Sequence, residues 1–340
     1  MIAHRGEVLA AEAVGDAVRY AAGDGAPLPP ARRVPVHLDT VFDLASITKL
    51  ATTVVVLRLA ELGRLDLDRP VSQWLPAARA GALTLRALLT HTGGLPPWSD
   101  EVRAAPDPAA AWAVLLDVAP DAPPGREHRY SDLGPILAGG AAVAATGGAD
   151  LTGGLADLVA ELVTGPLGMA DTGFQPVSGS EGRGADRVAA VETGYPRGVV
   201  HDETARALGG VAGHAGLFGT AADLVRLGEA LRTGGGPVLS PDSVAELTRD
   251  QTPTLAVSGY RQGLGARLAA PSFMGPLATT AFGHTGFTGT SIVVDPVREL
   301  TVVLLTNRVH PTRTGPGVDP TRQAVCALAT DLASRHTSTG

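Results

Sequence analysis

Lysine is almost absent from this chain of 340 residues: of 27 Lys+Arg, one is lysine, Lys49, and the rest are arginine. Cysteine is as scarce, with Cys326 alone, which excludes an internal disulfide and any cysteine-rich metal site. Basic runs are missing and the formal net charge is −7, so the electrostatic footprint of a nucleic-acid or anionic-membrane binder is not there. No stretch of about 18 apolar residues occurs, and the opening MIAHRGEVLA has neither the basic nor the apolar region of a leader. As read, the chain is expected to be cytoplasmic unless its native start lies upstream. What is present is an ordinary globular composition, 44% hydrophobic and 18% charged, enough for one large domain or two joined lobes. Small molecules are the expected partners; the sequence is silent on oligomeric state.

Residues 2–20 alternate apolar and polar around a turn at His4-Arg5-Gly6-Glu7, the pattern of a β-hairpin. From Ser46 to Leu62 the period becomes helical, with Asp43 just before and Gly63 as the stop. Helix and long loop fill about 65–215: Thr84 caps a short helix, 132–146 and 151–164 are helical, and 119–125 and 172–200 are connections. Thr220 and Ser240 cap two more helices, strands return at 263–269, 289–294 and 300–306, and a last helix runs near 319–335. The expected fold is α/β (α+β): an antiparallel sheet from both chain ends, flanked by helices, with a mainly helical lobe inserted. As a domain plan this is one domain, the lobe at about 65–215 set into an α/β lobe of about 1–64 and 216–340. A site is expected in the cleft between lobes.

The helix after Ser46 is apolar nearly all round, so Lys49 should be buried with it. Ser46 and Lys49, at i and i+3, share one side of that helix. Burial and the positive helix end both disfavour a cation there, and the expectation is a lowered pKa and an amine able to take a proton. Arginine cannot do this, which gives the single lysine a reason. A serine beside such an amine is an activated nucleophile, and a helix N-terminus suits an oxyanion. By itself S-x-x-K is a weak pattern, also read as a capping serine and a lysine reaching for water, but the apolar surroundings and the lack of any other lysine weigh against that reading.

Two further stretches carry chemistry. In "YSDLG", Tyr130 offers a phenol to relay a proton and Asp132 could bond the lysine or begin the next helix; alone they would be a core tyrosine and an N-cap. In "HTGFTGTS", Gly286 permits close backbone approach and the N–H of Phe287 could donate to an oxyanion; alone this is a Gly/Thr turn.

Ser-x-x-Lys, then Tyr-Ser-Asp, then His-Thr-Gly, in that order, resembles the serine β-lactamase and penicillin-binding-protein superfamily, and the pattern is similar to its class C and esterase branch. "TVFDLASITKL", "LTLRALLTHTGGLP", "PLGMADTGF", "GHAGLFGTAADLVRLGEALRTGG" and "TSIVVDP…LTVVLLTNR" extend the resemblance over about residues 5–310. It implies an acyl-enzyme on Ser46 with Lys49 as base and Tyr130 as partner acid/base. It further implies an oxyanion hole from the N–H groups of Ser46 and Phe287, a substrate-binding strand edge at His284, Thr285 and Gly286, and no cofactor or metal. Expected substrates are esters, peptides or amides, in a carboxylesterase, D-peptidase/carboxypeptidase or muropeptide-amidase activity with at most weak β-lactamase activity.

Two departures bear on substrate. Asp132 stands where an amide residue is usual, and His284 stands for lysine, a weaker anchor for a substrate carboxylate. "GVVHDETARALGGVAGHAGLFGT" resembles a subgroup with cell-wall peptide amidases and carboxypeptidases, which would bring His214 and Ala215 near the acyl pocket and His201, Asp202 and Glu203 to its rim. The same glycines equally suit a tight connection and His201 a solvated loop. A metal hydrolase built on His201, Asp202, His214 and His284 lacks regular ligand spacing. Neither a G-x-S-x-G elbow nor a nucleotide-binding glycine loop is present. An acyltransferase using the same acyl-serine, or a non-catalytic penicillin-binding-like sensor, are the alternatives.

Overall fold

The N-terminal alternation folds as expected into strands β1 (Ile2–His4) and β2 (Glu7–Ala10), turning through Arg5 and Gly6 at positive φ. The computed structural model describes residues 1–176, 185–255 and 259–338; the part of the 172–200 connection at 177–184 lies outside them. β1 pairs antiparallel with the strand Leu300–Leu304 from the far end of the chain. Five strands from the C-terminal third complete the sheet: β3 (Arg261–Gln262), β4 (Arg267–Leu268), β5 (Phe282–Thr285), β6 (Ser291–Asp295) and β7 (Leu300–Leu304). Their order is β2-β1-β7-β6-β5-β4-β3, antiparallel throughout. The sheet is thus drawn from both chain ends.

β6 and β7 are rich in β-branched residues and buried along almost their whole length, because helices cover both faces. On one face lies the helix Ala221–Arg232, capped by Thr220; a Cβ added at its Gly228 would fall 2.4 Å from Thr301 Cγ2, so the missing side chain sets that approach. On the other face the C-terminal helix Asp319–Ser338 packs Cys326, Ala329 and Ala333 against Ile2, Val293 and Val302.

The strand expected over 263–269 is only Arg267–Leu268. Gly265 takes a positive φ, and Gly263 passes so close to Leu247 that a Cβ there would meet its carbonyl at 2.3 Å. The strand expected from 289 begins at Ser291, since Gly289 at φ 106° still belongs to the turn after β5.

The apolar run after Ser46 becomes a 3-10 turn, Ala45–Ile47, continuing into helix α1 (Thr48–Glu61), which is buried on nearly every side. Gly63 ends it at φ 69°. α1 packs against α2 (Leu133–Ala145), the apolar helix after "YSD". Thr84 and Ser240 cap their helices as expected. Among the described residues, no helix is long and apolar enough to cross a membrane.

Candidate active site

The site begins with a backbone irregularity. Ala45, immediately before Ser46, has φ 46°, a region that costs a non-glycine residue of order 1–3 kcal/mol. Side chains from distant parts of the chain hold it. Asp43 Oδ1 accepts the Ala45 N–H at 2.8 Å, Thr48 donates to the Ala45 carbonyl at 2.7 Å, and Thr288 and Thr290 donate to the carbonyls of Asp43 and Leu44. Gly286 presses on the same elbow: a Cβ there would lie 2.6 Å from the Leu44 carbonyl. Asp43 is itself buried and also accepts the His201 N–H at 2.8 Å; burial pushes its carboxyl up to about 6.

Lys49 is fully buried, and its ammonium donates to Ser46 Oγ at 2.9 Å, Asp132 Oδ1 at 2.9 Å and the His214 carbonyl at 3.2 Å. Each of the three N–H bonds of an ammonium therefore has an acceptor. The expectation of a lowered pKa is corrected here. Burial is the largest influence and lowers it, but the Asp132 carboxylate and the Tyr130 phenol together outweigh burial and raise the amine above the ordinary lysine value. The same geometry also serves the neutral amine, whose two N–H bonds would go to Asp132 and the His214 carbonyl while its lone pair meets Ser46 Oγ.

Tyr130 brings its ring to 4.9 Å from Lys49 Nζ and 5.3 Å from the Arg267 guanidinium, so the phenol lies between two cations. His91 flanks the ring at 4.5 Å between centroids, and His284 at 6.3 Å. Both imidazoles are buried, which pushes their pKa well down and leaves them neutral. His284 Nδ1–H is spent on the Thr285 carbonyl at 2.8 Å. Hence His284 offers no positive charge.

Ser46, Tyr130, Thr285, Gly286 and Phe287 open onto one cavity of about 530 Å³, so the three motifs converge. Four arginines also line it. Arg313 is neutralised by Glu192 and Glu203, and Arg322 by Asp319. Arg267 and Arg308 have no carboxylate partner among the described residues. Arg267 donates to Thr285 Oγ1 at 3.3 Å while its buried Nε has no partner.

Asp132 is, as expected, at the N-cap of α2 and bonded to Lys49, for which it gives up the cap bond. Other expected positions fall elsewhere. His214 and Ala215 are buried beneath the cavity rather than lining it. His201 is buried on Glu192 and stacks 5.7 Å from the Phe287 ring, which supports that residue from behind. Glu203 pairs with Arg313. Donor atoms of Asp132, Asp202 and His214 lie within 4.8 Å of one another, a spacing a metal would accept. The cation already there is Lys49, bonded to Asp132, while Asp202 is taken by His214 Nε2 at 2.8 Å.

Sequence reasoning gave Asp43 only as the residue before the helix, and passed over His91 and Arg267. The signal for each was a polar residue set in an apolar run: "VFDLA", "LLTHT" and "LGARLA".

A family model described as Beta-lactamase matches residues 1–327. A curated Escherichia coli (strain K12) protein, provisionally named a D-alanyl-D-alanine carboxypeptidase, is 31% identical over 326 residues, covering 83% of this chain and 71% of that one. Among solved structures, EstCE1, titled a hydrolase with promiscuous acyltransferase activity, superposes with TM-score 0.70 at 25% identity, covering 98% of this chain and 92% of that one. A penicillin-binding protein homologue from Caulobacter crescentus gives TM-score 0.69 at 25% identity, with 97% and 91% covered.

Proposed function

The chain is a hydrolase of the β-lactamase family, and from that premise we propose that it works through an acyl-enzyme on Ser46, cleaving small esters or amides that carry a carboxylate. The observation that carries this reading is the 2.9 Å contact of Ser46 Oγ, in the wall of the cavity, with the buried Lys49 Nζ. Ser46 Oγ attacks the substrate carbonyl and its proton passes to Lys49 in the neutral form. The tetrahedral oxygen is held by the N–H groups of Ser46 and Phe287. Collapse expels an alcohol or amine, which takes a proton by way of Tyr130, and water then cleaves the acyl-serine by the reverse path. Since Asp132 favours the ammonium, the reactive fraction is small at neutral pH and grows as pH rises.

Substrate class follows from charge. With His284 neutral, the guanidiniums in the Ser46 cavity without a carboxylate partner among the described residues are those of Arg267 and Arg308; Arg267, braced on Thr285 of the substrate-binding strand edge, is matched in geometry to a carboxylate. That choice agrees with the carboxypeptidase name of the Escherichia coli relative. Acyl transfer to an alcohol is the second reading, favoured by the likeness to EstCE1; it uses the same acyl-serine. A non-catalytic sensor has no need of the Ser46–Lys49 contact.

The test is incubation with a fluorophosphonate and, separately, a labelled penicillin, followed by mass spectrometry. An adduct on Ser46, missing from Ser46→Ala, is the expected result. Failure of both probes to label the folded protein overturns the reading.

A further inference from the structure

Beneath the cavity, on the side of Lys49 away from Ser46, lies a pair of residues that the proposed reaction leaves without a part. Ala212 and Ala215 bridge each other, so Gly213 and His214 form a tight turn. The turn is pressed between α1 and α2: Thr52 donates to the Gly213 carbonyl at 2.8 Å, and a Cβ on Gly213 would fall 2.0 Å from the Pro135 carbonyl. Its His214 carbonyl takes the third hydrogen of Lys49. The imidazole of the same residue is fully buried and bonded through Nε2 to Asp202 at 2.8 Å, while Nδ1 has no partner. Asp202 alone therefore fixes the ring. Asp202 is in turn held at the N-cap of the short helix Glu203–Ala207, where Oδ1 accepts the Ala205 N–H at 2.8 Å.

We infer that Asp202 and His214 are positioning residues for Lys49: His214, tethered to Asp202, aims its carbonyl at the amine, and the Asp202 carboxylate joins Asp132 in favouring a cation there. The inference rests on the reading that Lys49 exchanges a proton with Ser46.

The charges around the amine support the second half of this statement. Facing Lys49 are two carboxylates, Asp132 from the start of α2 and Asp202 from the start of its helix. Asp202 is held well below the usual carboxylate range: burial opposes ionisation, but His214 first, then the Ala205 N–H and last Lys49 together outweigh burial. His91 and His284 are neutral through burial, so they add no charge of their own. On the cavity side, Arg267 lies beyond the phenols of Tyr130 and Tyr260 and Arg308 lies over Phe287, while Arg313 and Arg322 are paired with carboxylates. The buried Asp43 carboxyl feels the Asp202 charge, which helps to push it up. A change at Asp202 therefore alters the balance of the amine without touching any group that meets substrate.

The test is the rate of fluorophosphonate labelling of Ser46 across the accessible pH range, in wild type, Asp202→Asn, His214→Ala and His214→Gln, with folding checked by circular dichroism. Asparagine keeps the N-cap and an acceptor for His214 but loses the charge. The expected result for Asp202→Asn is a midpoint of the acidic limb lowered by roughly half to one pH unit. His214→Ala labels about tenfold more slowly at every pH, and His214→Gln, which keeps a donor toward Asp202, recovers part of the loss. An unmoved midpoint in folded Asp202→Asn overturns the inference while leaving Ser46 as the nucleophile. Loss of labelling in wild type itself overturns the underlying reading instead. If the His214 variants do not fold, the Asp202→Asn midpoint decides.

Discussion

Asp132 Oδ1 lies 2.9 Å from Lys49 Nζ, so the amine that must take the Ser46 proton rests as one half of an ion pair. An opposite charge at this range favours the charged form by about one to three pKa units. Asp132→Asn removes that charge and leaves a hydrogen-bonding oxygen in place. The acidic limb of Ser46 labelling should move down by about one unit or more, and the rate at neutral pH should rise. A slower variant with an unmoved limb would show that the carboxylate serves some other step.

Lys49→Arg tests the same amine from the other side. The charge stays, but a guanidinium does not deprotonate, and its planar fork replaces a point donor with three converging acceptors. Labelling of Ser46 should fall by roughly a thousandfold, within the range that general-base groups contribute. A folded arginine variant that labels at the wild-type rate would remove Lys49 from the reaction.

For substrate recognition the relevant residue is Arg267. A pair of p-nitrophenyl esters differing only in a carboxylate on the acyl chain separates its charge from its packing against Tyr130 and Tyr260. A charge-assisted hydrogen bond contributes about 1.5–3 kcal/mol, so Arg267→Ala should weaken kcat/KM for the carboxylated ester by roughly ten- to a hundredfold relative to the neutral one. Equal losses on both esters would exclude an anion site at this arginine.

The local features were the ones legible in the sequence. Thr84, Thr220 and Ser240 cap because the need for a partner at a helix start is met within three residues. The Ser46–Lys49 spacing is likewise settled within one turn. What the sequence did not carry is electrostatic and long-range. That Asp132 could bond Lys49 is legible, but not that its charge, brought in across 83 residues, reverses the pKa direction that burial alone implies. Arg267 faces the site because its two-residue strand pairs with Gly283 of β5, a register set by glycine turns that periodicity does not reveal. The resemblance to the amidase subgroup implies His214 near the acyl pocket, while the glycines around it equally suit a tight connection; the tight turn buries it against Lys49 of α1.

Cys326 reports on the packing of the C-terminal helix. It is 2% exposed, its thiol donates to the Phe273 carbonyl at 3.6 Å, and burial pushes its pKa up to about 12. The native protein should not react with a disulfide-exchange reagent at neutral pH, and one thiol should appear on unfolding in urea. Rapid reaction of the folded protein would mean that this helix leaves the sheet readily.

Asp43 gives a pH dependence whose sign can be worked out. Its carboxyl titrates near 3.8 when unfolded and is pushed up to about 6 by burial in the native state. Between those values the unfolded chain has lost the proton and the native state still holds it, so this group's contribution to stability is complete below about pH 4 and declines as pH rises toward 6. The full change is up to about 3 kcal/mol. Asp43→Asn cannot titrate, although its side-chain oxygen still reaches the Ala45 N–H that steadies the strained elbow. The difference in unfolding free energy between wild type and this variant, measured by urea titration, should therefore shift in favour of the variant by about that amount as pH rises through this window. Other carboxylates, such as Glu61 and Glu246, lowered to about 2, titrate alike in both proteins and cancel. A difference that stays constant across the window would mean that Asp43 is ionised in the native protein throughout, and that the elbow before Ser46 is held by an anion rather than by a buried acid.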